Sequence, residues 1–185
     1  DSMDNILIGG GMAYTFISAM GGEIGKSLCE PDFKELALKI IDKAKANNTT
    51  IYLPVDSIAA DKFGADANHH VSPSNAIAAD HLGLDIGPEA IKTYADVIKN
   101  SKTILWNGPM GVFEMEAFSA GTFTVAKAVA EATDHGAFSL IGGGDSVSAI
   151  NQSGLADRVS YISTGGGAML EFLEGKELPG IKAMK

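Results

Sequence analysis

Residues 103–111 read TILWNGPMG. An apolar, β-favouring run leads here directly into a glycine-rich turn. Three similar apolar runs are each followed by a glycine triplet, at residues 9–11, 142–144 and 165–167. Short apolar runs without strict alternation are typical of strands buried on both faces, as in a parallel sheet. Strands are therefore predicted at residues 6–8, 51–55, 103–106, 138–141 and 159–162. Because proline cannot donate to a sheet, we expect the second strand to lie at an edge or to end before Pro54.

Helical periods separate these strands. Residues 33–44 place apolar side chains at helical spacing after Pro31, a second period follows Pro88, and a third ends before Gly136. Strands that alternate with helices indicate an α/β protein with right-handed crossovers. Residues 60–86 show neither period clearly, so we expect a long irregular stretch there, with a small hairpin or an excursion over the surface.

Composition excludes several classes of protein. The 185 residues carry 14 Lys and Arg against 23 Asp and Glu, a net charge of −9, which argues against binding to duplex DNA. The one cysteine, Cys29, forms no internal disulfide and fits a reducing compartment, so we expect a cytoplasmic protein. We find neither an apolar run long enough to span a membrane nor a signal peptide. The chain begins without Met, which indicates processing or a piece of a longer protein.

The glycines concentrate where strands end. The three triplets, with Gly108 and Gly111, account for half of the 22 glycines. In an open parallel sheet, ligands bind beyond the carboxyl ends of the strands, where glycine admits close approach and helix N-termini attract phosphate. The alternative is that these turns need glycine for steric reasons alone. No triplet ends in the Gly-Lys-Ser/Thr of a P-loop, and Tyr14 stands where a dinucleotide fingerprint needs its third glycine.

Positive charge is scarce around these turns. Residues 1–25 contain no Lys or Arg, and Arg158 is the only one between residues 128 and 175. Asp145 follows the second triplet and has two open interpretations, a Mg²⁺ ligand or a helix N-cap. Further cations would come from Lys26, from Lys62 or from protein outside this chain.

The glycine motifs, taken together, resemble those of phosphoglycerate kinases, in that family's order and spacing and over nearly the whole chain. The motifs that carry the resemblance are Ile8–Phe16, Gly83–Glu89, Trp106–Glu114, Ile141–Ser146 and Ser163–Ala168. The resemblance is to the C-terminal, nucleotide-binding domain alone. It implies a three-layer, Rossmann-like parallel sheet with helices on both faces, truncated at its N-terminal side, with residues 1–185 as an incomplete nucleotide-binding domain.

The resemblance also implies a reaction, the reversible transfer of a phosphoryl group between 1,3-bisphosphoglycerate and ADP with Mg²⁺, giving 3-phosphoglycerate and ATP in glycolysis. The triose phosphate would bind through the missing N-terminal domain, and the parent would be a monomer. The 185 residues alone are expected to be inactive, because the missing part carries the basic triose-phosphate site and lysines that reach the nucleotide phosphates.

Residue roles follow from the same resemblance. The adenine would lie among Gly10, Gly11, Gly83, Leu84 and Pro109. Glu114 would accept from the ribose hydroxyls, and Asn107 would lie near the phosphates. The phosphates would meet Gly143, Gly144, Asp145 and Ser146, with Mg²⁺ on Asp145. The transferred group would rest on backbone N–H groups of Gly143, Gly144, Gly165 and Gly166.

The chain departs from the family pattern at Tyr14, Met115 and Ser146, where Phe, Trp and Thr are common. Two other hypotheses stay open at this point. One is an NAD-dependent dehydrogenase or other dinucleotide-binding domain, and the other is a fragment with nucleotide affinity but no catalysis. The paired His69 and His70 lack the further ligands of a zinc site and are expected in a solvated loop, and His81 and His135 are read as structural or exposed.

Overall fold

A computed structural model describes residues 3–163, 165–176 and 182. The strands are β1 Asn5–Leu7, β2 Glu23–Ile24, β3 Thr50–Tyr52, β4 Asp56–Ala60, β5 His69–Pro73, β6 Ala76–Ile77, β7 Leu82–Ile86, β8 Thr103–Asn107, β9 Phe138–Gly142 and β10 Tyr161–Ile162. The α-helices are α1 Gly10–Ala19, α2 Lys34–Ala46, α3 Pro88–Lys99, α4 Ala120–Asp134, α5 Gly144–Gln152 and α6 Gly166–Leu173. Short 3₁₀ helices cover Pro31–Phe33, Glu116–Phe118 and Ala156–Arg158.

The five predicted strands are all present and pair in parallel. They form two groups, β1–β3 and β10–β9–β8, which share no strand hydrogen bonds within the described part of the chain. The strand predicted at residues 51–55 ends at Tyr52, before Pro54, which agrees with the expected early end. The α/β class is confirmed, and each glycine triplet lies where a parallel strand ends.

The prediction that residues 60–86 form a long irregular stretch is wrong. An antiparallel sheet of order β5–β4–β7 occupies most of it, and the short β6 pairs in parallel with β2. The antiparallel pairing of β4 with β5 supplies the hairpin that was expected. Strand β7 lacked a clear signal, because its pairing partner β4 precedes it by more than 20 residues and Gly83 interrupts its apolar run.

The helices begin and end close to their predicted bounds. Helix α3 starts at Pro88, and its first turn donates backbone N–H groups to the buried carboxylate of Asp56 from β4, at 3.1 and 2.8 Å. The predicted apolar face of α2 is only partly buried. Ala37 and Ala44 are covered, but Phe33 is 52% and Leu36 48% exposed, because the core cluster beneath α2 reaches one side of that face alone.

The largest core cluster lies among α3, α4, α5 and the strands β8 and β9. Helix α3 also joins the two parallel groups of strands. The hydroxyl of Tyr94 donates to the carbonyl of Ile8 at 2.7 Å and contacts that of Tyr52 at 3.0 Å. These contacts fix α3 to β1 and β3, and the hydrogen bond from the Gly10 N–H to the Met110 carbonyl holds the turn after β1 beside the turn after β8, so that the glycine turns of the two groups face a common space.

Candidate functional site

A cavity of about 620 Å³ opens between the turns that follow β1 and β8. Its lining is mostly apolar and includes the exposed side chains of Leu28 and Phe63. Six of the predicted nucleotide-binding residues line it: Gly10, Gly11, Gly83, Leu84, Asn107 and Pro109. The fold therefore brings three separate sequence motifs, from β1, β7 and β8, to one place.

Backbone hydrogen bonds hold these three motifs together. The N–H of Gly10 donates to the carbonyl of Met110 at 3.0 Å, and the N–H of Val112 donates to the carbonyl of Leu84 at 2.9 Å. The buried hydroxyl of Thr122, in the first turn of α4, accepts from the N–H of Met110 at 3.0 Å. The turn after β8 is thus connected to both other motifs and to a helix N-terminus.

Glycine is required at position 83 because a side chain there would overlap Tyr14. Tyr14 is buried, and its hydroxyl donates to Ser57 at 3.0 Å, while Ser57 and Ser74 hydroxyls lie 2.7 Å apart. Burial raises the pKa of the Tyr14 phenol to about 12. The phenol therefore stays neutral and forms a fixed wall behind Gly83. A phenylalanine at position 14, which the family pattern described above favours, would lack the hydroxyl that bonds to Ser57 in β4.

Asp85 is a site residue to which sequence reasoning gave no role. Its carboxylate is 2% exposed and accepts backbone N–H groups of Gly121 at 2.8 Å and Ile86 at 2.9 Å. Burial raises the pKa of this carboxyl to about 7, and the two hydrogen bonds only partly oppose that rise. Its signal in the sequence was an acidic residue inside an apolar strand, between Leu84 and Ile86.

The turn after β9 continues the site beside Asn107. Gly143 has a φ of +85°, which favours glycine, and a side chain there would approach the Asn107 Oδ1 to 2.8 Å. Gly166, the first residue of α6, packs its Cα directly on the backbone of Gly143. The N-termini of α5 and α6 therefore lie together, and their first N–H groups have no acceptor within the helices.

Asp145 is exposed in the first turn of α5. The N-cap of that helix is Gly143, and no side chain caps it, so the N-cap interpretation of Asp145 is wrong. Among the described residues, no three His, Cys, Asp or Glu side chains are grouped to hold a metal ion. One exposed carboxylate beside two helix N-termini nevertheless fits Mg²⁺, which in proteins often takes one or two carboxylates and completes its shell with phosphate oxygens and water.

Seven predicted site residues lie outside the cavity lining: Glu114, Gly143, Gly144, Asp145, Ser146, Gly165 and Gly166. Glu114 is exposed in the turn that follows Phe113. Ser146 is fully buried, and its hydroxyl accepts the N–H of Gly108 at 2.6 Å. Gly165 is exposed next to α6, and its N–H approaches the hydroxyl of Ser163 at 3.3 Å.

Two of the basic residues noted in the sequence, Arg158 and Lys62, are engaged elsewhere, and Lys26 is exposed. Arg158 donates from Nε to Asp134 at 3.2 Å, and Lys62 pairs with Asp66 of its own loop at 2.7 Å. The predicted loop for His69 and His70 is wrong, because both residues lie in β5, although both are exposed as expected. Of the other two histidines, His81 pairs with Asp80 and His135 is exposed.

No helix within the described ranges has the length and apolar character that a membrane crossing requires.

The family model described as phosphoglycerate kinase matches residues 1–176. This chain belongs to the phosphoglycerate kinase family. The match decides against the dehydrogenase alternative and confirms the resemblance drawn from the glycine motifs.

Curated phosphoglycerate kinases cover the chain almost completely. The chain is 53% identical over 184 residues to a protein of that name from Chlorobaculum tepidum and 52% identical over 182 residues to a cytosolic one from Triticum aestivum. These alignments span 100% and 98% of this chain but only 46% and 45% of the relatives. The chain therefore spans about half the length of the phosphoglycerate kinases that it matches.

Solved structures agree with the fold. Phosphoglycerate kinase from Coxiella burnetii superposes with a TM-score of 0.91 at 47% identity, over 97% of this chain and 46% of that one. The enzyme from Pyrococcus horikoshii gives a TM-score of 0.80 at 35% identity, over 97% of this chain and 44% of that one. The predicted α/β fold with a Rossmann-like parallel sheet is thereby confirmed.

Proposed function

We propose that this chain is the nucleotide-binding part of a phosphoglycerate kinase that transfers a phosphoryl group between 1,3-bisphosphoglycerate and ADP with Mg²⁺. The observation that carries the proposal is the convergence of three glycine motifs on one apolar cavity, continued by two adjacent helix N-termini. An apolar cleft beside unpaired N–H groups suits a ligand with a flat ring at one end and phosphates at the other.

The adenine would occupy the cavity between the backbones of Gly10 and Gly11 on one side and of Gly83 and Leu84 on the other. Glycine permits that approach because these backbone positions carry no side chain of their own, and Pro109 adds an apolar edge. The exposed carboxylate of Glu114 would accept from the ribose hydroxyls, which requires the sugar to extend beyond the cavity lining.

The phosphates would lie along Asn107 and the first turns of α5 and α6. Unpaired N–H groups and the positive ends of both helix dipoles favour an anion there. The backbones of Gly143, Gly144, Gly165 and Gly166 would hold the transferred group. Asp145 would hold Mg²⁺, which neutralises phosphate charge when bound. Phosphoryl transfer depends mainly on positioning and charge stabilisation, so backbone groups are adequate for this role.

The rest of the site would lie on protein outside this chain. Arg158 and Lys62 are paired with Asp134 and Asp66, whereas two anionic substrates need several cations near the helix N-termini. Residues 1–185 would thus form an incomplete nucleotide-binding domain, inactive alone, of a monomeric cytoplasmic protein. The triose phosphate would bind to the other half of the parent protein.

The experiment that tests this proposal measures ATP formation from ADP and 1,3-bisphosphoglycerate by the full-length parent. Activity is expected, and its absence in folded parent protein would refute the assignment. The 185-residue chain is expected to bind ADP with Mg²⁺ in an NMR titration, yet to show no turnover in the same coupled assay. Full activity of this chain alone would contradict the incomplete-site proposal.

A matched pair of variants tests the role of Asp145. Asp145→Asn should weaken Mg²⁺-dependent ADP binding and leave adenosine binding unchanged, because adenosine carries no phosphate. Asp157→Asn, which removes the same charge from an exposed 3₁₀ helix, should change neither. Equal effects of the two variants would reduce the role of Asp145 to its charge alone.

A further inference from the structure

We propose that Ser146 is a positioning residue that holds the turn after β8 in its nucleotide-binding shape, and that its hydroxyl is not a phosphate ligand. The inference rests on the proposed function and assigns Ser146 a different part in it. The hydroxyl oxygen lies 2.6 Å from the N–H of Gly108, and the side chain is fully buried in α5.

The Gly108 residue is held at both of its polar groups. Its N–H donates to Ser146, and its carbonyl accepts the indole N–H of Trp106 at 2.8 Å. Trp106 is itself buried in the main core cluster. Gly108 has a φ of +103°, a conformation available mainly to glycine, so its orientation depends on these two anchors and not on packing of a side chain.

Residues on each side of Gly108 line the cavity. Asn107 precedes it and Pro109 follows it, and the carbonyl of Met110 then accepts the N–H of Gly10 from the turn after β1. A rotation at Gly108 would therefore displace Pro109, at the proposed adenine end of the cavity, and Asn107, at the proposed phosphate end. Ser146 connects α5, which lies at the phosphate end, to this turn.

The free chain allows a direct test of the hydrogen bond. Ser146→Ala removes the acceptor, so the Gly108 amide should exchange with solvent faster in NMR spectra recorded without ligand. Ser146→Thr keeps the acceptor and should retain protection. Unchanged exchange of the Gly108 amide in the alanine variant would overturn the inference whatever the ligand results are.

Ligand titrations separate positioning from phosphate contact. Because one buried hydrogen bond is lost, Ser146→Ala should weaken adenosine and ADP binding by a similar factor, roughly tenfold. Ser146→Thr should bind both nearly as the wild type does. Ser139→Ala is the matched control, since it removes another fully buried serine hydroxyl, in β9, the strand that precedes α5, and neither affinity should change.

The other outcomes are equally informative. A loss for ADP with none for adenosine would make Ser146 a phosphate ligand and overturn the inference while leaving the proposed function intact. No loss for either ligand would overturn it as well. Absence of binding of both ligands to the folded wild type would overturn the proposed function and this inference with it.

Discussion

The buried carboxylate of Asp85 makes the stability of this chain depend on pH with an unusual sign. Burial raises its pKa from 3.8 to about 7, so the folded chain holds the proton more tightly than the unfolded chain. The resulting stability is present below pH 3.8 and is lost as the pH rises towards 7. Over that window the loss amounts to about 4 kcal/mol, since a tenfold change in proton affinity corresponds to about 1.4 kcal/mol.

Asp85→Asn removes this titration while keeping the size of the side chain. The free energy of unfolding of the wild type minus that of the variant should therefore fall by about 4 kcal/mol between pH 4 and pH 8. Urea unfolding at pH 4, 5, 6, 7 and 8 measures it, with the fluorescence of the single tryptophan, Trp106, as the signal. Taking the difference cancels the titration of all other groups.

Asp80→Asn supplies a control of opposite sign. Contact with His81 holds the pKa of the Asp80 carboxyl below its usual value, so its contribution is present at higher pH and is lost as the pH falls. The free energy of unfolding of the wild type minus that of Asp80→Asn should therefore rise with pH, or stay constant if solvent screens the Asp80–His81 pair. If the corresponding difference in the free energy of unfolding for Asp85→Asn stays constant or rises with pH, burial does not raise the pKa of Asp85.

Three further predictions concern the contacts around the site. Tyr94→Phe should lower the free energy of unfolding by about 1–2 kcal/mol in urea titrations, because it removes the hydroxyl that joins two strands to α3. Gly166→Ala should lower the melting temperature and weaken ADP binding, because the new methyl group overlaps the backbone of Gly143, whereas Gly167→Ala has open space and should do neither. Arg158→Ala should leave the melting temperature and ADP affinity unchanged, since its ion pair is exposed and lies away from the glycine turns.

The sequence predicted the strand ends well because the feature that marks them is local. A run such as residues 103–106 followed by Gly108 needs no distant partner to be recognised, and a parallel sheet then places all such ends on one edge. The helix that begins at Pro88 is equally local, since proline fixes the first turn. Six of the residues chosen from motifs accordingly line one cavity.

The antiparallel sheet of β5, β4 and β7 was missed because its order depends on pairing between strands far apart in sequence. Asp56 shows the same limit, since its carboxylate serves the N-terminus of α3 more than 30 residues away. A pattern read along one segment carries no information about which other segment will satisfy its hydrogen bonds.

The chemistry of single side chains also required the tertiary structure. Ser146 lies in a motif that predicts phosphate contact, yet its hydroxyl is buried against Gly108. Asp85 and Asp145 are the same residue type, but the carboxylate of Asp85 is buried and that of Asp145 is exposed. The sequence by itself determined the fold class, the family and the positions of the glycine turns, because these follow from local backbone needs. Only the tertiary structure decided which polar groups face the ligand space, because burial and hydrogen bonding depend on neighbours from distant segments.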